Sequence, residues 1–221
     1  MYSMSENALR SFLKFYYGAM GCGKTRKLQG DYHSKVEDGF SCLVLKPLVD
    51  TKGDTKTLAR DGGVLESNFL ISDDTNIYSL ISNYLLMVKG ELDYIFVDEA
   101  QFLSEHHVEE LADIVDKMGI AVICYGLKTD FQGMMFEGSK KLFEIADSLV
   151  EIYRQCSCGN AKTRNMRLVD GKPVFEGEQV AIDGVDVTYK AVCRNCYNLA
   201  KRRVLAKKMD DSQFVIPGFE V

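Results

Sequence analysis

Eight residues, Gly18-Ala19-Met20-Gly21-Cys22-Gly23-Lys24-Thr25, offer the most specific chemistry in the chain. They match G-x-x-x-x-G-K-[ST], in which glycines let backbone N–H groups turn inward on an anion, the lysine reaches the outer phosphates and the hydroxyl ligates Mg²⁺. An ordinary Gly-rich turn is the plainer alternative. An apolar, aromatic run (Phe12 to Tyr17) precedes the stretch and a helix-like segment follows it, as a phosphate cradle requires. All eight residues are therefore expected to contact a nucleoside triphosphate.

Phe96-Val97-Asp98-Glu99 ends an apolar run with two carboxylates. Successive side chains on a strand face opposite ways, so the two acids can serve different partners. Asp98 is assigned to Mg²⁺ or its water shell, and Glu99 to the hydroxyl of a phosphoryl acceptor, as positioning group and base. Beside a phosphate loop this pairing outweighs the bland alternative of two solvated acids at a turn.

Seven cysteines divide by spacing. Cys22, Cys42 and Cys124 are scattered and read as packing. Cys156, Cys158, Cys193 and Cys196 form two tight pairs separated by a β-rich insert, close to the spacing of a structural zinc ribbon. The first pair has one intervening residue, so its chelate is tighter than that of C-x-x-C. Phe131 and Phe136, after a strand-like run, are candidates for stacking on a base. His33, His106 and His107 have no partners at ligand spacing and are given no role.

The elements that must position these groups alternate along the first two thirds of the chain. Strand-like runs are Phe12–Tyr17, Phe40–Lys46, Asn68–Ser72, Asp93–Val97 and Ile120–Tyr125. Helical periodicity marks Thr25–Glu37, Thr75–Lys89 and Ser104–Met118. This alternation predicts an α/β fold: a parallel sheet flanked by helices, with ligands at the carboxyl ends of its strands. The stretch from Pro47 to Glu66 is polar and aperiodic, and is expected to be a loop that orders around a ligand or a neighbouring subunit, a bare solvent loop being the alternative. From Arg154 the texture changes to a cysteine pair, a strand with an Asp170-Gly171 hairpin turn, a second β-rich run from Gln179 to Val192, and the second pair. Tyr197–Lys208 reads as a solvated helix. The expected division is a nucleotide-binding α/β domain over 1–153, a small β-rich zinc-binding domain over 154–208 and a tail over 209–221.

With 221 residues, 46% of them hydrophobic, the chain can bury one good core and carry a small appended module. Such a module needs a metal staple, having little core of its own. A net charge of −5 gives no electrostatic track for a nucleic-acid backbone, so a small-molecule partner is expected. No apolar run approaches the roughly 20 residues that span a bilayer, and Met1 to Arg10 lacks the pattern of a signal peptide, so the expected location is cytoplasmic.

Together these residues resemble the thymidine kinases of the cellular and bacterial type, P-loop kinases with a zinc-bearing lasso domain, from about Phe15 to Tyr197. The resemblance rests on Gly18–Thr25, Val97-Asp98-Glu99-Ala100-Gln101-Phe102, Cys124-Tyr125-Gly126-Leu127-Lys128-Thr129-Asp130-Phe131, Phe136-Glu137-Gly138-Ser139, Cys158-Gly159, and Gly177-Glu178-Gln179-Val180 leading to Tyr189 and Cys193. It implies transfer of the γ-phosphate of ATP to the 5′-hydroxyl of thymidine or deoxyuridine, with Mg²⁺ and a structural Zn²⁺. Glu99 falls at the family's catalytic acid, and Asp98 and Gln101 join the nucleotide-binding set. Met20, Phe102, Leu127, Phe131 and Tyr189 fall at positions that surround base and sugar. Val180, Ile182 and Gly184 correspond to the lasso backbone that reads the thymine edge. A homotetramer and feedback inhibition by dTTP are implied as well. Lys52 stands where the family often has an arginine after Asp50, and it offers no bidentate fork.

A nucleic-acid-dependent ATPase is the rival class, since Asp98-Glu99-Ala100-Gln101 also looks like a helicase box. A helicase motor needs two such domains and a cationic track, and this chain offers neither.

Overall fold

A computed structural model of the chain describes residues 11–48, 56–58, 64–179 and 187–212. In chain order its first elements are β1 (Leu13–Tyr17), α1 (Lys24–Glu37), β2 (Cys42–Pro47), β3 (Lys56–Leu58), β4 (Val64–Glu66), β5 (Phe69–Ile71) and α2 (Ile77–Val88). There follow β6 (Tyr94–Val97), a 3-10 turn over Ala100–Phe102, α3 (Glu105–Met118), β7 (Ala121–Gly126), α4 (Glu137–Ile145) and β8 (Ser148–Glu151). The chain continues with β9 (Arg164–Val169), β10 (Lys172–Val174), β11 (Val187–Val192) and α5 (Arg194–Ser212).

Six strands pair in the order β5-β2-β6-β7-β1-β8, every pair parallel. β7 sits in the middle and is buried along its whole length, as a strand covered on both faces must be. Alternate side chains feed two cores. Leu43, Leu45, Ile95, Val97, Val122 and Cys124 pack with α2 and α3, while Val44, Phe96, Ile123 and Tyr125 pack with Leu28 of α1. These are the two faces that right-handed crossovers between parallel strands cover.

Helix ends are fixed by side chains. Asn76 caps α2 through Ser79 N–H, and Ser104 caps α3 through His107 N–H. Two of the histidines left without a role turn out to be structural fasteners. His107 Nδ1 accepts from Ser104 N–H at 3.4 Å, and its Nε2 meets the Thr75 carbonyl at 3.0 Å. Buried Glu110 accepts from Ile77 N–H at 2.7 Å and from Asn76, and His106 lies 3.0 Å away. The start of α2 is thereby tied to α3.

A second, antiparallel sheet has the order β10-β9-β11. Asp170 and Gly171, both at positive φ, make the tight turn from β9 to β10. Met166, Phe175, Val192 and Tyr197 form its small core together with Cys156 and Cys193.

Three expectations are corrected in detail. The Pro47–Glu66 stretch is not wholly aperiodic, because β3 and β4 pair as a two-stranded antiparallel ribbon within it. α4 and β8 were not anticipated. Phe136 heads α4 without a capping side chain, and β8 has only four residues, too few to show a period. The terminal helix runs further than Tyr197–Lys208 in both directions.

Candidate active site and metal centre

β1 lies between β7 and β8, and the phosphate loop leaves its carboxyl end. Gly18 N–H donates to the Gly126 carbonyl. A Cβ on Gly18 would lie 2.1 Å from the Ile152 carbonyl oxygen and 2.8 Å from Cys22 Sγ, so no other residue fits there. Gly23 takes φ 104° immediately before α1 and supplies no side-chain cap, so the first amides of α1 remain available for an anion. Buried Lys24 folds its Nζ over the loop, donating to the Ala19 carbonyl at 3.0 Å and the Gly18 carbonyl at 3.4 Å. Phosphate oxygens, being charged, make stronger acceptors for that ammonium than two neutral carbonyls. Thr25 is half-buried on the first turn of α1.

The acidic pair stands at the same sheet end. In register, Val97 of β6 is opposite Cys124 of β7, and Gly126 of β7 is opposite Tyr17 of β1. Asp98 is buried, with its N–H on the Leu45 carbonyl. Glu99 adopts φ 51°, a left-handed conformation that costs a non-glycine residue on the order of 1 kcal/mol or more and that clusters at functional sites. Its Oε2 accepts from Gln101 Nε2 at 2.5 Å, while Gln101 Oε1 accepts from Leu127 N–H at 2.9 Å. Because the Leu127 N–H can only donate, the amide end turned to Glu99 is the N–H₂ of Gln101, and the carboxylate accepts from it.

Of the residues expected around base and sugar, Met20 follows β1, Phe102 follows β6, Leu127 and Phe131 follow β7, and Tyr189 lies on β11. Met20 N–H donates to Asn165 Oδ1 at 2.8 Å, and Asn165 Nδ2 donates to the Thr129 carbonyl at 3.0 Å. Phe102 meets Phe136 edge-on at 5.6 Å. Leu127 is held by Gln101 and by Ser139, whose hydroxyl donates to its carbonyl at 2.5 Å. Phe131 is 1% exposed, its ring covered by the Arg167 guanidinium at 3.6 Å. Tyr189 is half-buried and its hydroxyl accepts from Arg167 Nε at 3.0 Å. Met20, Gly21, Arg154, Lys162 and Tyr189 line a cavity of about 320 Å³ between the loop and the small sheet. A larger hollow of about 730 Å³ lies at the other end of the strands, around Asp93, Tyr94 and Ala121, far from the phosphate loop. Val180, Ile182, Gly184 and Lys52 fall outside the described residues.

Asn165 and Arg167 were missed. They sit two apart on β9, on the face opposite Met166, which points into the small core. That alternation was visible in the sequence; what the pair faces was not.

The four ligand candidates converge. Cys156, Cys158, Cys193 and Cys196 bring their Sγ atoms within 4.8 Å of one another. Two of the separations are 3.4 Å (Cys158 to Cys193) and 3.9 Å (Cys156 to Cys196). A tetrahedral Zn²⁺ at 2.3 Å from each sulfur needs edges of about 3.8 Å, so the set fits that ion. Backbone N–H groups of Cys158 and then Cys193 aimed at Cys156 lower its thiol to about 6, whereas hydrogen bonds with Cys158 and Cys193 push Cys196 up to about 12. Four crowded thiols do not all ionise unaided; a dication lets them.

The family model described as "Thymidine kinase" matches residues 11–197. The chain is 39% identical to the thymidine kinase of Coxiella burnetii over 86% of this chain and 96% of that protein. It is 40% identical to the thymidine kinase of Enterobacteria phage T4 (84% and 95% covered) and 41% identical to that of Haemophilus influenzae (84% and 95%). Among solved structures, a Pif1 helicase from Candida albicans aligns with 69% of this chain and 40% of its own, at 15% identity and a TM-score of 0.41, too weak a likeness to carry an argument.

Proposed function

From the premise that the chain belongs to the thymidine kinase family and is an ATP-dependent thymidine kinase, we propose that Glu99 is the group that prepares the nucleoside hydroxyl for attack. One observation carries this assignment: a strained, half-buried carboxylate held by Gln101 at the sheet end from which the phosphate loop leaves. In the proposed reaction the 5′-oxygen of thymidine or deoxyuridine attacks the γ-phosphorus of ATP. The bond to the β–γ bridging oxygen breaks, ADP leaves, and the hydroxyl proton passes to the Glu99 carboxylate.

Gly18 to Thr25 would wrap the triphosphate, with main-chain amides on its oxygens and Lys24 exchanging its two carbonyl partners for phosphate. Asp98 and the Thr25 hydroxyl would hold Mg²⁺, which when bound draws charge off the β- and γ-phosphate oxygens. Gln101, which the resemblance places in the nucleotide-binding set, has its amide engaged by Glu99 and the Leu127 N–H, and acts in this scheme through Glu99. Met20, Phe102, Leu127, Phe131 and Tyr189 would wall the nucleoside, with Val180, Ile182 and Gly184 supplying main-chain groups to the base edge. The four cysteines would hold a structural Zn²⁺ that braces the part of the chain from residue 154 through α5 as a unit distinct from 1–153.

The same reading includes a homotetramer and inhibition by dTTP. The end product carries both the base and a triphosphate, so one molecule can address both halves of the site. A cytoplasmic location is part of it, since a four-thiolate site persists where thiols stay reduced. Among the described residues no helix is long and apolar enough to cross a membrane. A nucleic-acid-dependent ATPase is not favoured.

A phosphoryl-transfer assay across nucleosides, with wild type and Glu99→Gln, tests the scheme. We expect turnover on thymidine that falls by about 10²-fold or more in the variant, with ATP affinity little changed. Equal activity of the two proteins removes Glu99 from the mechanism.

A further inference from the structure

Arg167 is a charged side chain in β9 that is 6% exposed, and none of the roles above employs it. Its guanidinium is committed on every side. Nη1 donates to the Glu178 carbonyl at 2.8 Å and Nη2 to the Gln179 carbonyl at 3.0 Å, two successive acceptors that a planar fork can hold at once. Nε donates to the Tyr189 hydroxyl at 3.0 Å. The flat face lies 3.6 Å from the centre of the Phe131 ring. Phe131 is itself pinned by Tyr197, whose hydroxyl donates to the Phe131 carbonyl at 2.6 Å.

These partners come from different parts of the molecule. Phe131 belongs to the segment joining β7 to α4, Tyr189 to β11, and Glu178 and Gln179 to the chain that leaves β10. The same chain is tied to the β7–α4 segment by two side chains. Gln179 Nε2 donates to Asp130 Oδ2 at 3.1 Å, and Gln132 donates to the Gly177 carbonyl. Asp130 and Gln132 fasten side chains and a neighbouring carbonyl; Arg167 alone of these three groups reaches both rings and both backbone oxygens.

We infer that Arg167 is a positioning residue for the nucleoside: it locks Phe131, Tyr189 and the 178–179 backbone into one wall and thereby sets affinity for the nucleoside without touching the triphosphate. The inference rests on the nucleoside site proposed above. A lysine there keeps the charge but cannot fork between two carbonyls or cover an aromatic face in the same way.

The test compares wild type with Arg167→Lys and Tyr189→Phe in the full chain. For Arg167→Lys we expect the KM for thymidine to rise about tenfold or more while the KM for ATP moves less than about threefold. Amide hydrogen exchange at 178 and 179 should quicken, with zinc content and exchange in β9 and β10 as in wild type. Tyr189→Phe, which removes one oxygen from the set, should quicken the same exchange to a smaller degree, and it decides the matter should Arg167→Lys fail to fold. A thymidine KM within about twofold of wild type in Arg167→Lys overturns the inference, as does a parallel rise of both KM values with loss of zinc. So does unchanged exchange at 178 and 179 in whichever variants fold. A wild type inactive on thymidine would instead sink the site assignment, and exchange at 178 and 179 would then decide the role of Arg167.

Discussion

Gln101 joins Glu99 to the backbone of Leu127, giving an N–H to the carboxylate at 2.5 Å and taking one from the main chain at 2.9 Å. The amide cannot turn over without setting its carbonyl against the carboxylate and its N–H₂ against an N–H. Glu99 is therefore held in orientation by a residue that is itself 2% exposed and fixed from the far side.

Replacing Gln101 by leucine should lower kcat for thymidine by about 10- to 100-fold, since a misaimed base loses most of its advantage. Gln101→Glu should be worse, because it places a second carboxylate beside the first. Steady-state kinetics on both variants check this; a Gln101→Leu enzyme with wild-type kcat would contradict it.

Gly18→Ala should abolish ATP binding while leaving the small sheet intact. The added methyl meets the Ile152 carbonyl at 2.1 Å, so β1 and the segment after β8 must part and the loop loses its shape. Nucleotide titration together with a zinc assay would separate the two effects, and near-normal ATP affinity would refute it.

Removing the metal should loosen the small sheet selectively. Among the described residues its core has six buried members, two of them cysteines, with a few partly buried side chains against them, and cannot hold by apolar burial alone. Cys158→Ser, or a strong chelator, should release zinc and raise proteolytic cutting between 154 and 208 before the large sheet is touched. Equal protease resistance with and without zinc would count against a bracing role.

Tyr125 gives a pH-dependent prediction. Its hydroxyl donates to Asp31 Oδ2 at 2.6 Å, and burial first, then Asp31, raises its pKa above the ordinary 10.0. The folded state thus holds the proton more tightly than the unfolded chain does. Its contribution to stability is complete below pH 10.0 and fades as pH rises towards the raised folded value. Tyr125→Phe should cost about 1 to 2 kcal/mol at neutral pH, with Asp31 still paired to Lys27, and should flatten the alkaline limb of the stability curve. Denaturant titrations at several pH values check both parts; an unchanged alkaline limb would refute the linkage.

The phosphate loop, the acids ending β6 and the paired cysteines are legible as text because each is a contiguous run or a short spacing, and local geometry follows from neighbours in the chain. Strand alternation and helical period likewise gave the parallel sheet, while elements too short to complete a period escaped, as β3, β4 and β8 did. The partners of Arg167, Asn165 and Gln101 were decided only in three dimensions. Met20 and Asn165 are 145 positions apart, and Gln101 and Leu127 are 26 apart. A hydrogen bond needs its atoms within about 3 Å, and no sequence period records which distant backbone a folded strand will bring to that distance.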